Sequence, residues 1–377
     1  METQLRIAHV IIAAGNEIGA NRDDMQGLGR HVLNLAVAQK VRGLNPVLIS
    51  NASAERPLVE ALQGEGIPVV IMPSAHLQPN QTAKDQTAKD LAAQIEKFNV
   101  QLIHCHNLNG VRVAVPMANQ IGIPCVLTVH RNSRSISILY EAAKRQGLKF
   151  SMICVSRRER DSLRESGISE ADLYYVPNGT RSLPVHQLPE PHYPDLTLVG
   201  RIILIKGVDV AILAMAELRR RLGPDVPVLN VYGVDPSGNY FREMVHAVGL
   251  DDIVRFHGFK LDVLEHCDSR DILVMPSRSE TGPLVVLEAM SRGMPIVATE
   301  VGEVTEMLPD PRYGRVVRPD SVVALADGIE SLLKDISDGH FDPSLVIERH
   351  RSRYTVEKMA EDVETVYKQV LVNNNPY

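Results

Sequence analysis

ILVMPSRSETGPLVVLEAM, running from Ile272 to Met290, decides the fold. Ile272–Pro276 is a continuous apolar run closed by proline. Ser277–Gly282 is polar, and an apolar helical stretch follows from Pro283, which is expected at the first helical position. A continuous apolar run marks a parallel strand covered on both faces. Strand, short loop and helix in that order make half of a βαβ unit. The start of such a helix offers free backbone amides and the positive end of a dipole, which together attract an anion such as a diphosphate. A carboxylate stands on each side of that turn, Glu280 before the helix and Glu288 inside it, and each can accept hydrogen bonds from ligand hydroxyls.

Working outward, the same alternation covers the chain. Apolar runs at Arg6–Ala13, Asn45–Ser50, Pro68–Met72, Leu102–Cys105, Cys125–Val129, Met152–Val155 and Asp172–Pro177 form a first series. Leu196–Val199, Val228–Tyr232, Ile253–His257, Ile272–Pro276, Pro295–Ala298 and Gly314–Val317 form a second. The break is expected near 182–195, where Pro184, Pro189, Pro191 and Pro194 interrupt regular structure. The expected organisation is α/β, with two doubly wound Rossmann-like domains, 1–183 and 195–354, facing a central cleft. A last helical segment, about 355–377, is expected to pack back on the first domain. Ligands of such sheets lie at the carboxyl ends of strands. The pentapeptide QTAKD occurs twice, at 81–85 and 86–90, and reads as a duplicated loop and helix start.

Composition sets outer bounds. The chain has 377 residues, 44% hydrophobic and 23% charged, with a net charge of −6, so bulk electrostatics do not call for nucleic acid. Cys105, Cys125, Cys154 and Cys267 form no CxxC pair and read as free thiols of a reducing compartment. Leu5–Ala14 is apolar but short, lacks a charged flank, and reads as a first strand rather than a signal peptide. The expected location is the cytoplasm.

A second cluster follows the strand Leu196–Val199. In Gly200-Arg201-Ile202-Ile203-Leu204-Ile205-Lys206-Gly207, two cations flanked by glycines sit at a strand end and fit a diphosphate clamp. Charge building on a leaving phosphate would be stabilised there.

The pairing of Gly-Arg…Lys-Gly with Glu280-x7-Glu288 resembles the retaining GT-B glycosyltransferases of family 4 (glycosyl transferase group 1). Further landmarks fit the resemblance: Gly27 and Gly29 before a helix His31–Arg42, His104-Cys105-His106-Asn107, Thr128-Val129-His130, Val155-Ser156, Val176-Pro177-Asn178-Gly179, Tyr232-Gly233 and Phe256-His257-Gly258. The resemblance implies transfer of a hexose from a nucleotide sugar with retention at the anomeric carbon, without metal or other cofactor. It implies that Arg201 and Lys206 hold the diphosphate, Glu288 the ribose, and Glu280 and His130 the transferred sugar. Gly233, His257 and Gly258 would edge the nucleotide pocket, and His106 would face the acceptor. A UDP-sugar, carrying N-acetylglucosamine or glucose, is the expected donor, ahead of GDP-mannose; the acceptor and the oligomeric state are not named. Two departures stand out. Thr281 and Pro283 occupy the turn where the family commonly has an aromatic residue and a glycine or cysteine. Amides of Gly282, Leu284 and Val285 must then do the holding, because proline has no N–H. The first Gly-rich loop reads Gln26-Gly27-Leu28-Gly29, without a Gly-Gly pair.

Other features have structural readings. His104 and His106, two apart, are expected to point to opposite strand faces and share no metal. Asp23-Asp24 and Asp251-Asp252 read as solvated pairs. Ser156-Arg157-Arg158-Glu159 reads as a capping box. Arg131, Arg134, Lys144, Arg145 and Lys149, interleaved with Ile136, Ile138, Leu139, Tyr140, Leu148 and Phe150, read as a core-facing helix with a solvated basic side. An anionic membrane surface or anionic acceptor is the alternative use of that side. Two rival functions fit the same architecture: a nucleotide-sugar epimerase, which acts without an acceptor, and a non-catalytic nucleotide-sugar-binding protein.

Overall fold

The computed structural model describes residues 4–12, 27–51, 55–72, 81–130, 133–187 and 193–374. Gln26, Asp23, Asp24, Arg131, Pro189 and Pro191 lie outside the described residues. The chain divides into two compact units, 1–179 with 356–377, and 180–355.

The first unit is a seven-stranded sheet. Its strands are β1 (Arg6–Ile11), β2 (Asn45–Asn51), β3 (Val69–Met72), β4 (Leu102–Cys105), β5 (Cys125–Val129), β6 (Ser151–Cys154) and β7 (Leu173–Tyr175), in the order β3-β2-β1-β4-β5-β6-β7. All pairs are parallel. β4 and β5 are buried along their whole length, the state that their continuous apolar sequence demands. The helix Val356–Asn374 belongs to this unit. Val356, Met359, Ala360, Val363, Val366, Tyr367 and Val370 recur at helical spacing and pack with Ile7, Leu35, Leu102 and Val126. Each large side chain in that stripe contributes roughly 1.5–3 kcal/mol of burial.

The second unit is a six-stranded parallel sheet: β8 (Leu196–Val199), β9 (Leu229–Tyr232), β10 (Val254–Gly258), β11 (Ile272–Met275), β12 (Ile296–Thr299) and β13 (Arg315–Val317), ordered β10-β9-β8-β11-β12-β13. The order reverses between β8 and β11, and ligands of doubly wound sheets bind beyond the strand ends at such a switch point. The loops after β8 and β11 are the two singled out from sequence, 200–207 and 276–283. In the first unit the reversal falls between β1 and β4.

Several expectations need correction. The chain changes unit at Gly179/Thr180, upstream of the proline stretch. Thr180 bridges Thr355 and donates its N–H to the Tyr354 carbonyl (2.9 Å), while the Leu183 and His186 amides bond Ser291 Oγ and Ser269 Oγ. Of that stretch, the described residues 180–187 already bond to the second unit, so its start rather than the proline run marks the boundary. Both QTAKD copies lie inside one helix, Gln81–Lys97, whose buried Thr87 faces inward. Gly27 and Gly29 lie within the helix Gly27–Val41 rather than before it. Pro283 is the N-cap (φ −68°, ψ 112°) of the helix Leu284–Ser291, one position earlier than expected. The ring fixes φ, but ψ stays extended.

The helix Ser133–Arg145 buries Ile136, Tyr140 and Ala143 in the first unit's core and exposes Arg134, Lys144 and Arg145. Tyr140 Oη donates to Asp172 Oδ2 at 2.6 Å. Among the described residues no helix is long and apolar enough to cross a membrane.

Candidate functional site

In the second unit the carboxyl ends of β8, β9 and β10 are held in contact by glycine. The Gly200 amide donates to the Tyr232 carbonyl (2.9 Å) and the Gly233 amide to the Gly258 carbonyl (2.9 Å). Gly233 has φ +151°, and a Cβ there would sit 1.8 Å from the Gly200 carbonyl oxygen, so only glycine fits. The Tyr232 and His257 rings stack with centroids 4.5 Å apart, and Lys260 Nζ lies 5.6 Å from the Tyr232 centroid. His257 Nε2–H donates to Asn230 Oδ1 at 2.8 Å. Burial, with Lys260 and Arg255 nearby, holds His257 below its ordinary pKa, in the neutral form.

The loop after β8 is stitched to the loop after β11. Gly207 (φ +69°) packs its bare Cα face on Pro276, whose carbonyl oxygen lies 1.9 Å from where a Cβ would stand. The Arg278 amide donates to the Ile205 carbonyl at 2.9 Å. The Arg278 guanidinium donates to Asp209 at 2.8 and 2.7 Å, to Asp320 and to the Leu204 carbonyl. These contacts deliver Lys206 Nζ to Glu280 Oε1 at 2.5 Å, with Ser277 Oγ donating to the same oxygen at 3.0 Å. From the other side, the Glu303 amide donates to the Thr281 carbonyl (2.8 Å) and Gly302 packs against the Glu280 and Thr281 carbonyls. The sequence pairing of Lys206 with Glu280 is thus a contact, made by two loops at one switch point. Arg201 follows Gly200 with an exposed side chain. Thr281, Gly282, Val285 and Glu288 are half-buried, while Pro283 and Leu284 are buried. No side chain caps the helix at Pro283, so its first-turn amides are not taken by a local cap.

In the first unit the switch point carries five histidines. His9 lies on β1, His31 on the helix Gly27–Val41, His104 on β4, His106 just past β4, and His130 just past β5. Asn107 fixes the end of β4 to the end of β1. Its Oδ1 caps the helix Leu108–Ile121 through the Gly110 amide (2.9 Å), and its Nδ2 donates to the Ile12 carbonyl (2.9 Å). The His104 and His106 rings are 4.2 Å apart on one face. The opposite-face expectation is wrong because a strand's side-chain period is two, so residues i and i+2 share a face.

A buried hydrogen-bond chain fixes the tautomers. Gln39 Nε2 donates to Tyr367 Oη (3.1 Å), which leaves Gln39 Oε1 to accept from His9 Nε2–H (2.8 Å). His9 Nδ1 is then the acceptor for His106 Nε2–H at 2.9 Å. Tyr367 Oη donates to His104 Nδ1 (2.6 Å), and His104 Nε2–H donates to Thr128 Oγ1 (2.6 Å). His31 Nδ1–H donates to Asn178 Oδ1 at 2.9 Å. Burial pushes His9 down to about 4, and burial with neighbouring imidazoles holds His31, His104 and His106 well below their usual range. All four are neutral near pH 7. Of this cluster the sequence singles out His106, His130 and Asn178, with Thr128 as part of a landmark, and gives no role to His9, His31, Gln39 or Tyr367. His31 had a signal, standing two residues after Gly29; Gln39 and Tyr367 had none, since each is one polar residue on an otherwise ordinary helix.

Two doubly wound parallel sheets joined in one chain, each with its distinctive loops at the switch point, define the GT-B class of fold. The pattern of the family Glycosyltransferase Family 4 matches residues 25–181, and that of Glycosyl transferases group 1 matches 185–340. The chain belongs to the family 4, group 1 glycosyltransferases. It is 29% identical to a D-inositol 3-phosphate glycosyltransferase of Corynebacterium urealyticum over 46% of its own length, a match that spans 42% of that relative. Its fold superposes on a glycosyltransferase of Rickettsia africae with a TM-score of 0.81 at 20% identity, covering 98% of this chain and 100% of the other. It also superposes on Anabaena HepE, solved with UDP and glucose, with a TM-score of 0.76 at 17% identity, covering 97% and 100%.

Proposed function

We propose that this protein transfers a hexose from a nucleotide-sugar donor to an acceptor, with retention at the anomeric carbon and no metal in the transfer step. The observation that carries the reading is the Lys206–Glu280 contact at the switch point of the second sheet, beside an uncapped helix start. A cation there stabilises the negative charge that builds on the leaving phosphate as the C1–oxygen bond breaks, an effect that dominates many active sites. Arg201 supplies a second cation, and the amides of Leu284 and Val285 complete the diphosphate cradle. When a donor binds, its diphosphate takes over Lys206, and Glu280 is released to accept hydrogen bonds from the transferred sugar. Glu288 accepts from the ribose, and the Tyr232–His257 stack with Gly233 and Gly258 edges the base. His130 contacts the donor sugar and His106, held neutral by burial, faces the acceptor, both as hydrogen-bonding groups rather than general bases. The leaving phosphate itself takes the acceptor proton. A UDP-sugar is the favoured donor, in keeping with the UDP and glucose of the Anabaena structure.

The test is donor turnover by Lys206→Ala. A loss of about 10²–10³ in kcat is expected for removal of one charge-stabilising group. An unchanged kcat overturns the leaving-group role. Incubation of a UDP-sugar without acceptor separates transfer from epimerisation: a new epimer in the product would replace this reading.

A further inference from the structure

The hydrogen-bond chain in the first unit leaves two lone pairs facing inward. His106 gives its only proton to His9, so His106 Nδ1 is a bare acceptor; His31 gives its only proton to Asn178, so His31 Nε2 is another. Both atoms are buried and neither has a hydrogen-bond partner among the described residues. His31 and His106 are 3% and 1% exposed, so water does not reach them freely. Buried acceptors left without donors cost about 1–3 kcal/mol each, and a donor or a cation is what this arrangement is built to receive. His130 stands beside them, its ring 4.6 Å from that of His31 in an edge-on arrangement and 6.1 Å from that of His106. One ring nitrogen from each of the three lies within 4.8 Å of the others.

We infer that His31, His106 and His130 form a binding site for a divalent transition cation of the zinc type. Three imidazoles are the donor set that zinc, cobalt(II) and nickel(II) prefer, and hard cations such as magnesium avoid it. Two nitrogens on a tetrahedral zinc, at bonds of about 2.0–2.1 Å, stand roughly 3.4 Å apart, so the rings close by on the order of 1 Å, a small rotation about their side-chain bonds. Two of the three ligands already have the outer partners that metal-bound histidines use: Asn178 Oδ1 accepts from His31 Nδ1–H, and His9 accepts from His106 Nε2–H. Those partners fix ring orientation and tautomer before a cation arrives. The neighbouring triad of His9, His104 and His106 is also compact, but the nitrogens of His9 and His104 are spent on Gln39, Tyr367, Thr128 and His106. His130 is only half-buried, which leaves a fourth coordination position for water or a ligand hydroxyl. The cation occupies His106 and His130, the side chains given ligand contacts above, so it acts as an inhibitor of transfer rather than a participant.

The test is cobalt(II) titration of the full chain without any sugar, followed by its d–d absorption. One equivalent should give the intense visible bands of a tetrahedral, nitrogen-ligated ion, and zinc should displace it. Asn178→Ala, which keeps all three ligands, should weaken binding roughly 10–100-fold, and His31→Ala should weaken it further. His246→Ala, at a solvent-exposed histidine of the second unit, should change nothing. Featureless spectra, or an affinity indifferent to His31→Ala, overturn the site. If His31→Ala does not fold, histidine-selective 15N spectra of the wild-type protein decide the matter. Zinc must move the ring resonances of the three ligands, and unmoved resonances refute the proposal. Because binding is read without donor or acceptor, its failure is distinguishable from failure of the transfer reading.

Discussion

Lys206 Nζ and Glu280 Oε1, 74 residues apart in sequence, stand 2.5 Å from each other across the loops that follow β8 and β11. Both side chains are mostly covered, 26% and 16% exposed, so each charge depends on the other for compensation. Removing one partner strands the other. Lys206→Met and Glu280→Gln are each expected to lower stability. The double variant should recover part of the loss, with a coupling energy of about 1 kcal/mol. Urea denaturation of the four proteins measures it, and strict additivity would show that the pair has no energetic meaning.

Gly233 and Gly238 form an internal comparison. Both have positive φ, but a Cβ at Gly233 meets the Gly200 carbonyl at 1.8 Å, while one at Gly238 meets nothing within 4 Å. Gly238→Ala should cost roughly 1–2 kcal/mol, the left-handed penalty alone. Gly233→Ala should cost at least about 3 kcal/mol, because β8 and β9 must part at their carboxyl ends. Thermal melts of the two variants check the ranking, and equal shifts would contradict the close approach.

Tyr367→Phe removes one hydroxyl from the buried chain and leaves Gln39 Nε2 and His104 Nδ1 without their partner. The ring still fits, so the loss isolates the hydrogen bonds. It should amount to about 1–3 kcal/mol, measurable as a lower denaturation midpoint with an unchanged slope.

Arg278→Ala cuts the link between the loops at Asp209, Asp320 and Leu204. Burial favours the neutral acid at Asp209, but the Arg278 guanidinium outweighs it and holds the carboxyl below its usual range. A depressed carboxyl pKa contributes stability above the unfolded value, near 4, and that contribution fades as pH falls through the folded value. The gap in Tm between wild type and Arg278→Ala should therefore be full at pH 6 and narrow below about pH 4. A gap that widens in acid would reverse the assigned sign.

Legibility in the sequence followed the range of the forces involved. Continuous apolar runs gave every strand to within a residue or two at each described end, since burial on both sheet faces leaves a local mark. Ser156 accepts from the Glu159 amide at 3.3 Å, as the local spacing implied. Ends were less clear: Pro283 caps its helix with an extended ψ instead of opening it, and the change of unit at Gly179/Thr180 depends on which side chains the next segment finds.

What the sequence determined by itself is the alternation of strands and helices, the family, and the two loops of the second unit, all written in neighbours a few residues apart. Only the tertiary structure could bring His9, His31, His104, His106 and His130 from four separate segments to one switch point and tie His9, His104 and His106 to Tyr367 of the last helix. The reason is physical. An imidazole's tautomer and charge depend on burial and on partners distant along the chain, and no local pattern carries that information until the sheet has closed around it.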